Sequence, residues 1–314
     1  MAHRVPSGVP DVTVAVVSYN TRDLLVRCLA SLRGLDVWVV DNGSTDGSRE
    51  VVRPDRLIAP ERNLGYGAAV NLVAERTSSP WLIASNADIA ARPGAVEALL
   101  GATGPRTGAV APRLVLPDGS TQHSVLPFPT VTFTTAFALR LTDAVPRLGD
   151  RLCVPGRWDP SRPRLVPWAI GAFLLLRREA FDEVGGFDER QWLFAEDLDL
   201  GWRLRRAGWE TRYEPSAVVD HHESAATAAA FGAARTERTQ AETYAWLRRT
   251  RGPTITRAVA ALNVAGAVAR RDRRWASIHA RTGLGRQLEQ RRAVPDAADD
   301  EGRRADGVRR DPRR

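Results

Sequence analysis

Four short apolar runs in the first part of the chain constrain its fold more than any other feature. They are VTVAVVS at 12–18, VWVV at 37–40, LIA at 57–59 and WLIA at 81–84. The first is continuous and rich in β-branched residues, the pattern of a strand buried on both faces. The segment after it has a helical pattern. Leu24, Leu25, Cys28, Leu29 and Leu32 recur at helical spacing, Thr21 stands at the N-cap position and Gly34 follows the last turn. Ser44 or Thr45 is placed to cap a second helix, and residues 61–71 open a third. Strand and helix thus alternate with short connections. This predicts an α/β fold with a mostly parallel central sheet and helices on both of its faces.

After Ala111 the rhythm changes. Residues 111–126 read as two extended pieces around the turn Pro117-Asp118-Gly119. Residues 127–163, rich in Pro, Arg and aromatics, carry no assignable period. An apolar strand region spans 165–178 with a break at Gly171, and a short helix from Glu179 ends at Gly185-Gly186. A helix is predicted over Glu196–Ala207, with Leu200, Leu204 and Ala207 on one face and Gly208 as its stop. Asp199 is expected to be solvated or paired with Arg203. A strand over 212–219 then runs into Asp220, His221 and His222. Residues 224–250 and 255–270 have helical character with Pro253 between them.

In a parallel α/β sheet, ligands collect outside the carboxyl ends of the strands. The strand at 81–84 ends in the polar triplet Asn86, Ala87, Asp88, ahead of a helix expected to start at Pro93. A carboxylate so placed suits Mg2+ or Mn2+, which take oxygen ligands and share them with phosphates. The same Asp would also serve as a plain turn residue. No Gly-x-Gly-x-x-Gly follows the first strand, which argues against a dinucleotide-dependent dehydrogenase. The chain has no lysine, so a P-loop in its usual form is excluded, as is a lysine-dependent nucleotidyltransferase.

The charge is uneven. Residues 270–314 hold 14 Arg against 8 acidic residues, which is +6 of the total +8. The basic end is either solvated or attracted to anionic lipid or nucleic acid. The body lacks the interleaved aromatic and basic residues of a nucleic-acid binder, so no nucleic-acid partner is expected. Cys28 and Cys153 form neither a disulfide framework nor a metal spacing. The first residues lack the apolar core of a signal peptide, and no apolar run reaches the ~20 residues that span a bilayer. A cytoplasmic protein, peripheral at the inner face of the membrane, is expected.

Five blocks in order carry a resemblance: VVSYN (16–20), VVDNGSTDGS (39–48), RNLGYGAAVN (62–71), SNADI (85–89), and GGFDERQWLFAEDLDLGWRLRRAGW (185–209) with VVDHH (218–222). Over roughly residues 12–225 the chain resembles the inverting glycosyltransferases of family 2, whose fold is called GT-A. NLGYGAAVN and the ED-containing block resemble most closely the bacterial rhamnosyltransferases that extend a polyprenyl-diphosphate sugar.

The resemblance implies a catalytic domain over 11–232 after a flexible 1–10. Its nucleotide-binding half would be about 11–111 and its acceptor half about 112–232. A helical extension would follow at 233–285 and a disordered basic tail at 286–314. It implies a dTDP- or UDP-sugar donor, dTDP-L-rhamnose first, and a saccharide or polyprenyl-linked acceptor in cell-envelope polysaccharide synthesis. A non-catalytic sugar-nucleotide binder is the alternative.

Ser18, Tyr19 and Asn20 would lie against the base, and Asp41, with Asn42 beside it, would accept the base N3–H. For Asp41 the competing role is an Asx-turn, which fits Asp46 better. Asn63, Gly65 and Asn71 would shape the ribose and diphosphate pocket. Asp88 would ligate the metal, with Asn86 where relatives often carry a first Asp. His221 would join it, although counting along the strand does not decide between His221 and His222. Asp197, or else Glu196, would be the base that deprotonates the acceptor hydroxyl, kept ionised by the helix N-terminus. Trp168 and Trp192 are either core residues or sugar platforms.

Overall fold

A computed structural model describes residues 11–222 and 232–285. The expected flexible N-terminus (1–10) and basic tail (286–314) lie outside the described residues.

The strands are β1 Val12–Ser18, β2 Asp36–Asp41, β3 Leu57–Ile58, β4 Trp81–Asn86, β5 Ile89–Ala91, β6 Thr107–Val115, β7 Val125–Leu126, β8 Arg164–Val166, β9 Trp168–Ala169, β10 Phe173–Arg177 and β11 Glu210–His221. The helices are α1 Arg22–Ser31, α2 Tyr66–Ala74, α3 Ala95–Gly101, α4 Val131–Ala138, α5 Leu141–Ala144, α6 Pro146–Arg151, α7 Arg178–Glu183 and α8 Glu196–Ala207. A long helix, Arg235–Ala269, and a terminal helix, Arg273–His279, follow.

Nine strands form one sheet in the order β3-β2-β1-β4-β10-β6-β11-β5, with β8 also paired to β11. Strands β1, β2, β3, β4, β6 and β11 run the same way; β10, β5 and β8 oppose them. The sheet is therefore mostly parallel, as expected. Its side chains alternate between two cores. On β1, β4 and β10, residues Ala15, Leu82, Ala84, Leu174 and Leu176 join α2, α7 and α8 through Val70, Phe181 and Leu200. Their neighbours Val14, Val16, Ile83, Phe173 and Leu175 join α1 and α3 through Leu25, Cys28 and Leu99. Both faces are covered. A third, smaller core holds Ala195 and Leu198 of the α8 region against Tyr244, Trp246, Leu247 and Val259 of the long helix.

Several local expectations are corrected. No α-helix links β2 to β3; that stretch makes two short 3-10 turns, Ser48–Val51 and Pro54–Arg56. Asp46 accepts from Arg22 N–H and Ser48 N–H, and Ser44 Oγ accepts from Asn20 N–H. Short polar side chains bonding nearby amides thus replace the helical ladder. Thr21 sits at the cap of α1, but its hydroxyl meets Ser18 Oγ at 3.1 Å rather than a helix amide. The helix expected at Pro93 begins at Ala95 behind Gly94, because β5 intervenes. Helix α8 matches its predicted limits, and Gly208 closes it at φ +91°. Ala207 is exposed, however, while Asp199 is buried and, as the second alternative had it, paired with Arg203. Pro253 lies within the long helix, where the break falls on Gly252 at φ +84°. Among the described residues no helix is long and apolar enough to cross a membrane.

Candidate active site

The parallel strands β1, β2, β4 and β11 deliver their carboxyl ends to one rim of the sheet, and a cavity of about 820 Å³ opens there. Asp88 follows β4, and His221 ends β11, which lies beside β5. His221 Nε2 stands 3.3 Å from Asp88 Oδ1, and both residues are buried. On the far side of the ring, Nδ1 meets Gln122 Oε1 at 2.6 Å. An amide oxygen only accepts, so Nδ1 carries a proton and Nε2 is the ring nitrogen turned to Asp88. His222 contributes only its backbone N–H, which donates to the Asp88 carbonyl at 2.8 Å. His221 therefore points inward, a choice the sequence left open. Gln122 was missed because nothing local distinguishes it; its partner lies 99 residues away.

The opposite wall is the start of α8. Glu196 is buried, and its Oε2 has no hydrogen-bond partner. Asp197 Oδ1 accepts from Leu198 N–H at 2.8 Å, and Oδ2 accepts from Gly171 N–H at 3.2 Å. Burial pushes both carboxyls above their ordinary range, and the neighbouring Asp197 charge drives Glu196 the further up. This corrects the expectation that the helix N-terminus dominates. Desolvation outweighs the dipole, leaving Glu196 as the group that keeps a proton and Asp197 as the one that loses it first. Phe194, two residues earlier, is held at φ +78°, a conformation that costs a bulky side chain energy.

Tyr66, buried at the start of α2, also lines the cavity. Its hydroxyl donates to the Gly171 carbonyl, whose own N–H is the one on Asp197. Burial, together with the Glu196, Asp197 and Asp88 carboxylates facing it, pushes its phenol well above the usual range. All three acids thus sit around one ring. Just before it, Gly65 adopts φ +87° and ψ 177°, a region open essentially to glycine. A Cβ there would strike the Trp192 carbonyl and come 2.7 Å from Trp192 Cδ1.

The remaining expected residues divide. Tyr19, Asn42, Asn63, Gly65 and Asn86 line the cavity with Asp88, Glu196, Asp197 and His221. Asn42 Nδ2 donates to the Gly65 carbonyl, and Asn63 Oδ1 accepts from Gly65 N–H, so both shape that turn. Ser18, Asn20, Asp41 and Asn71 are not in the lining. Ser18 is buried behind it. Asn20 Oδ1 accepts from Thr45 N–H and ties the first two loops together. Asp41 Oδ1 accepts from Gly43 N–H, Ser44 N–H and Arg49 Nε, an Asx-turn closed by an ion pair. Asn71 holds both backbone groups of Phe187 and so fastens α2 to the 185–189 loop.

Trp168 and Trp192 both line the cavity. Trp168 Nε1 donates to the Pro127 carbonyl. Much of the rest of the wall comes from segments without a functional signature. These are α4, with Phe133 and Phe137, and the C-terminal helices, with Thr239, Arg270 and Trp275. Asp199 explains their docking. Its Oδ2 accepts from Arg203 Nε at 2.6 Å and its Oδ1 from Trp246 Nε1 at 2.9 Å, which locks the long helix to α8.

The profile of glycosyl transferase family 2 matches residues 13–185, and that of glycosyl transferase family group 2 matches residues 153–282. The N-acetylglucosaminyl-diphospho-decaprenol L-rhamnosyltransferase of Mycobacterium tuberculosis is 38% identical over 252 residues, covering 68% of this chain and 76% of the relative. The pre-mycofactocin glycosyltransferase of the same species is 33% identical, over 70% of this chain and 45% of its own length. A mannosyltransferase from Pyrobaculum calidifontis, solved with GDP-Man and Mn2+, superposes with a TM-score of 0.52 at 19% identity. That match covers 88% of this chain and 85% of the mannosyltransferase, and it supports the GT-A fold. With its acids gathered at the carboxyl rim of such a sheet, the chain belongs to glycosyl transferase family 2 and is a glycosyltransferase.

Proposed function

We propose that the protein transfers a sugar, with inversion, from a nucleotide-diphosphate donor to a hydroxyl of a saccharide or polyprenyl-linked acceptor in cell-envelope polysaccharide synthesis. L-Rhamnose from dTDP-rhamnose is the first donor to test, on the strength of the 38% identical rhamnosyltransferase. One observation carries the reading: a single cavity has Asp88 and His221 on one wall and the Glu196–Asp197 pair on the other.

The first wall fits a divalent cation. His221 Nε2 is buried, has no hydrogen-bond partner and faces the Asp88 carboxylate, with Nδ1 held by Gln122. Among the described residues no cluster of three His, Cys, Asp or Glu gathers. Asp88 and His221 would thus share Mg2+ or Mn2+ with the donor's phosphate oxygens. Such a cation offsets charge on the departing nucleotide diphosphate. Asp197 takes the proton from the acceptor hydroxyl. The acceptor oxygen forms its bond to the anomeric carbon as the bond from that carbon to phosphate oxygen breaks, in one displacement that needs no enzyme nucleophile. Glu196, holding its proton, keeps a second negative charge away from the attacking oxygen.

The test is a donor screen by mass spectrometry, dTDP-rhamnose beside UDP-hexoses, with Mn2+ and a polyprenyl-diphosphate saccharide. Turnover with one donor, at least ~10²-fold lower in Asp197→Asn, is expected. Donor binding without turnover under any condition would leave a non-catalytic binder instead.

A further inference from the structure

The cavity has an arm that sugar-nucleotide chemistry does not require. Beyond the catalytic walls its lining continues mostly apolar, through Leu126, Pro129, Phe133 and Phe137 on one side and Ala267 and Trp275 on the other, with Thr134, Asn263, Arg270 and Asp272 as polar groups among them. This arm lies between α4 and the end of the long helix, which are in close contact. Gly266 leaves room for only 3.0 Å between an added Cβ and Ala138 Cα. The Arg270 guanidinium donates to the Phe137 carbonyl and lies 4.2 Å from the centre of the Phe137 ring. A nucleotide diphosphate or a hydroxyl-rich sugar gains little from such walls, whereas a hydrocarbon chain gains much.

Immediately outside this contact the surface changes character. Leu139 is 65% exposed and Val268 62%, and Leu141 and Val145 are exposed beside them in sequence. Four of the seven large apolar side chains exposed among the described residues therefore fall on the two stretches that meet at Phe137 and Arg270. The same stretches carry exposed arginines: Arg140 and Arg147 on one, Arg271, Arg273 and Arg274 on the other. Arg140 is paired with Asp143. Apolar side chains in water, flanked by cations and bordering an apolar channel, match the interface of an anionic bilayer: acyl boundary for the leucines and valines, headgroup phosphate for the arginines.

We propose that the face formed by the end of α4, α5 and the junction of the two C-terminal helices seats on an anionic membrane. The apolar arm is then the side port through which the hydrocarbon chain of a membrane-borne acceptor reaches the cavity. The second statement rests on the lipid-linked acceptor proposed above; the first does not.

The test uses the full chain and flotation on phosphatidylcholine vesicles with and without phosphatidylglycerol. Binding is expected only with phosphatidylglycerol, falling as salt rises. The triple variant Leu139→Ser/Leu141→Ser/Val268→Ser should lose about tenfold or more in vesicle binding with its melting temperature unchanged. Arg271→Gln/Arg273→Gln/Arg274→Gln should lose the salt-sensitive part. Both variants should lose transfer to acceptor embedded in vesicles while keeping transfer to a short-chain, water-soluble acceptor. Wild-type vesicle binding by both variants, or none by the parent chain, overturns the membrane face. So does a parent chain that light scattering shows as a dimer and that the triple variant turns into a monomer. Variants that lose vesicle binding in a protein with no transferase activity on any acceptor would sink the proposed function and leave the membrane face standing.

Discussion

Replacing Gly65 by alanine tests how the two halves of the cavity are held in register. Two costs arise at that position. The backbone sits at φ +87° and ψ 177°, where a non-glycine residue is strained by about 1–3 kcal/mol. The new methyl also meets the Trp192 carbonyl and Cδ1, and overpacking of this kind costs about 1–3 kcal/mol more. The sum, about 2–6 kcal/mol, is a large part of the ~5–15 kcal/mol that keeps an ordinary domain folded. Gly43 is the natural control, since it has φ +96° but nothing within 4 Å of an added Cβ. Gly43→Ala should therefore show the backbone cost alone, about 1–2 kcal/mol. If the chain relieves the contact by moving Trp192, the Glu196–Asp197 pair a few residues on moves with it. A displacement of ~1 Å there is worth about 10²-fold in turnover. Urea unfolding and sugar transfer, measured on both variants, separate the two effects. A Gly65→Ala protein as stable and as active as Gly43→Ala would refute the claim that this contact sets the catalytic wall.

Four further outcomes are expected. Trp246→Phe removes the donor to buried Asp199 Oδ1 and should cost about 1.5–3 kcal/mol in urea unfolding, a hydrogen bond to a charged group being of that size; an unchanged midpoint would show that the long helix docks without it. Because burial raises the carboxyl of Glu196, the folded chain holds that proton more tightly than the unfolded chain, and the cost of ionising it in place appears as pH rises. Glu196→Gln should accordingly match the parent's stability at acid pH and exceed it at alkaline pH, while the raised Asp197 carboxyl places the acid limb of kcat/KM above the ordinary carboxylate value of about 4. Gln122→Leu frees the His221 ring and should weaken Mn2+ activation about 10–100-fold without abolishing nucleotide binding, as isothermal titration would read.

Much of the fold is legible because local chemistry and tertiary structure agree. The β-branched run at 12–18 forms a central strand, and the acidic start and Gly208 stop define α8. The segment after β2 misled because Asn, Ser, Asp and Gly in 42–48 satisfy one another's backbone groups in place of a helix. Strand β11 outruns its expected limits because it bends past Pro215 through a register shift between Glu214 and Val218, and pairing beyond that shift is set by distant strands. In the site, motif residues mark the strand ends and the two acids. Gln122, which partners His221, and Trp246, which holds Asp199, are single residues with no local pattern, whereas Tyr66 stands inside a motif and reaches Asp197 only through Gly171. Asp41 and Asn71 are conspicuous residues that also tie loops together, Asp41 through Oδ1 alone while its buried Oδ2 has no hydrogen-bond partner.

The place of β10 has a consequence for how this molecule could be taken apart. It arrives late in the chain, yet it lies between β4 and β6 and runs against both. A cut after residue 111 would strip β4 of its neighbour, expose a row of unpaired amides and carbonyls, and uncover Ile83 and Leu82 on either side. Residues 11–111 are therefore not expected to fold as a fragment on their own. Any chimera that trades acceptor preference with a relative must carry its own β10 or keep this one.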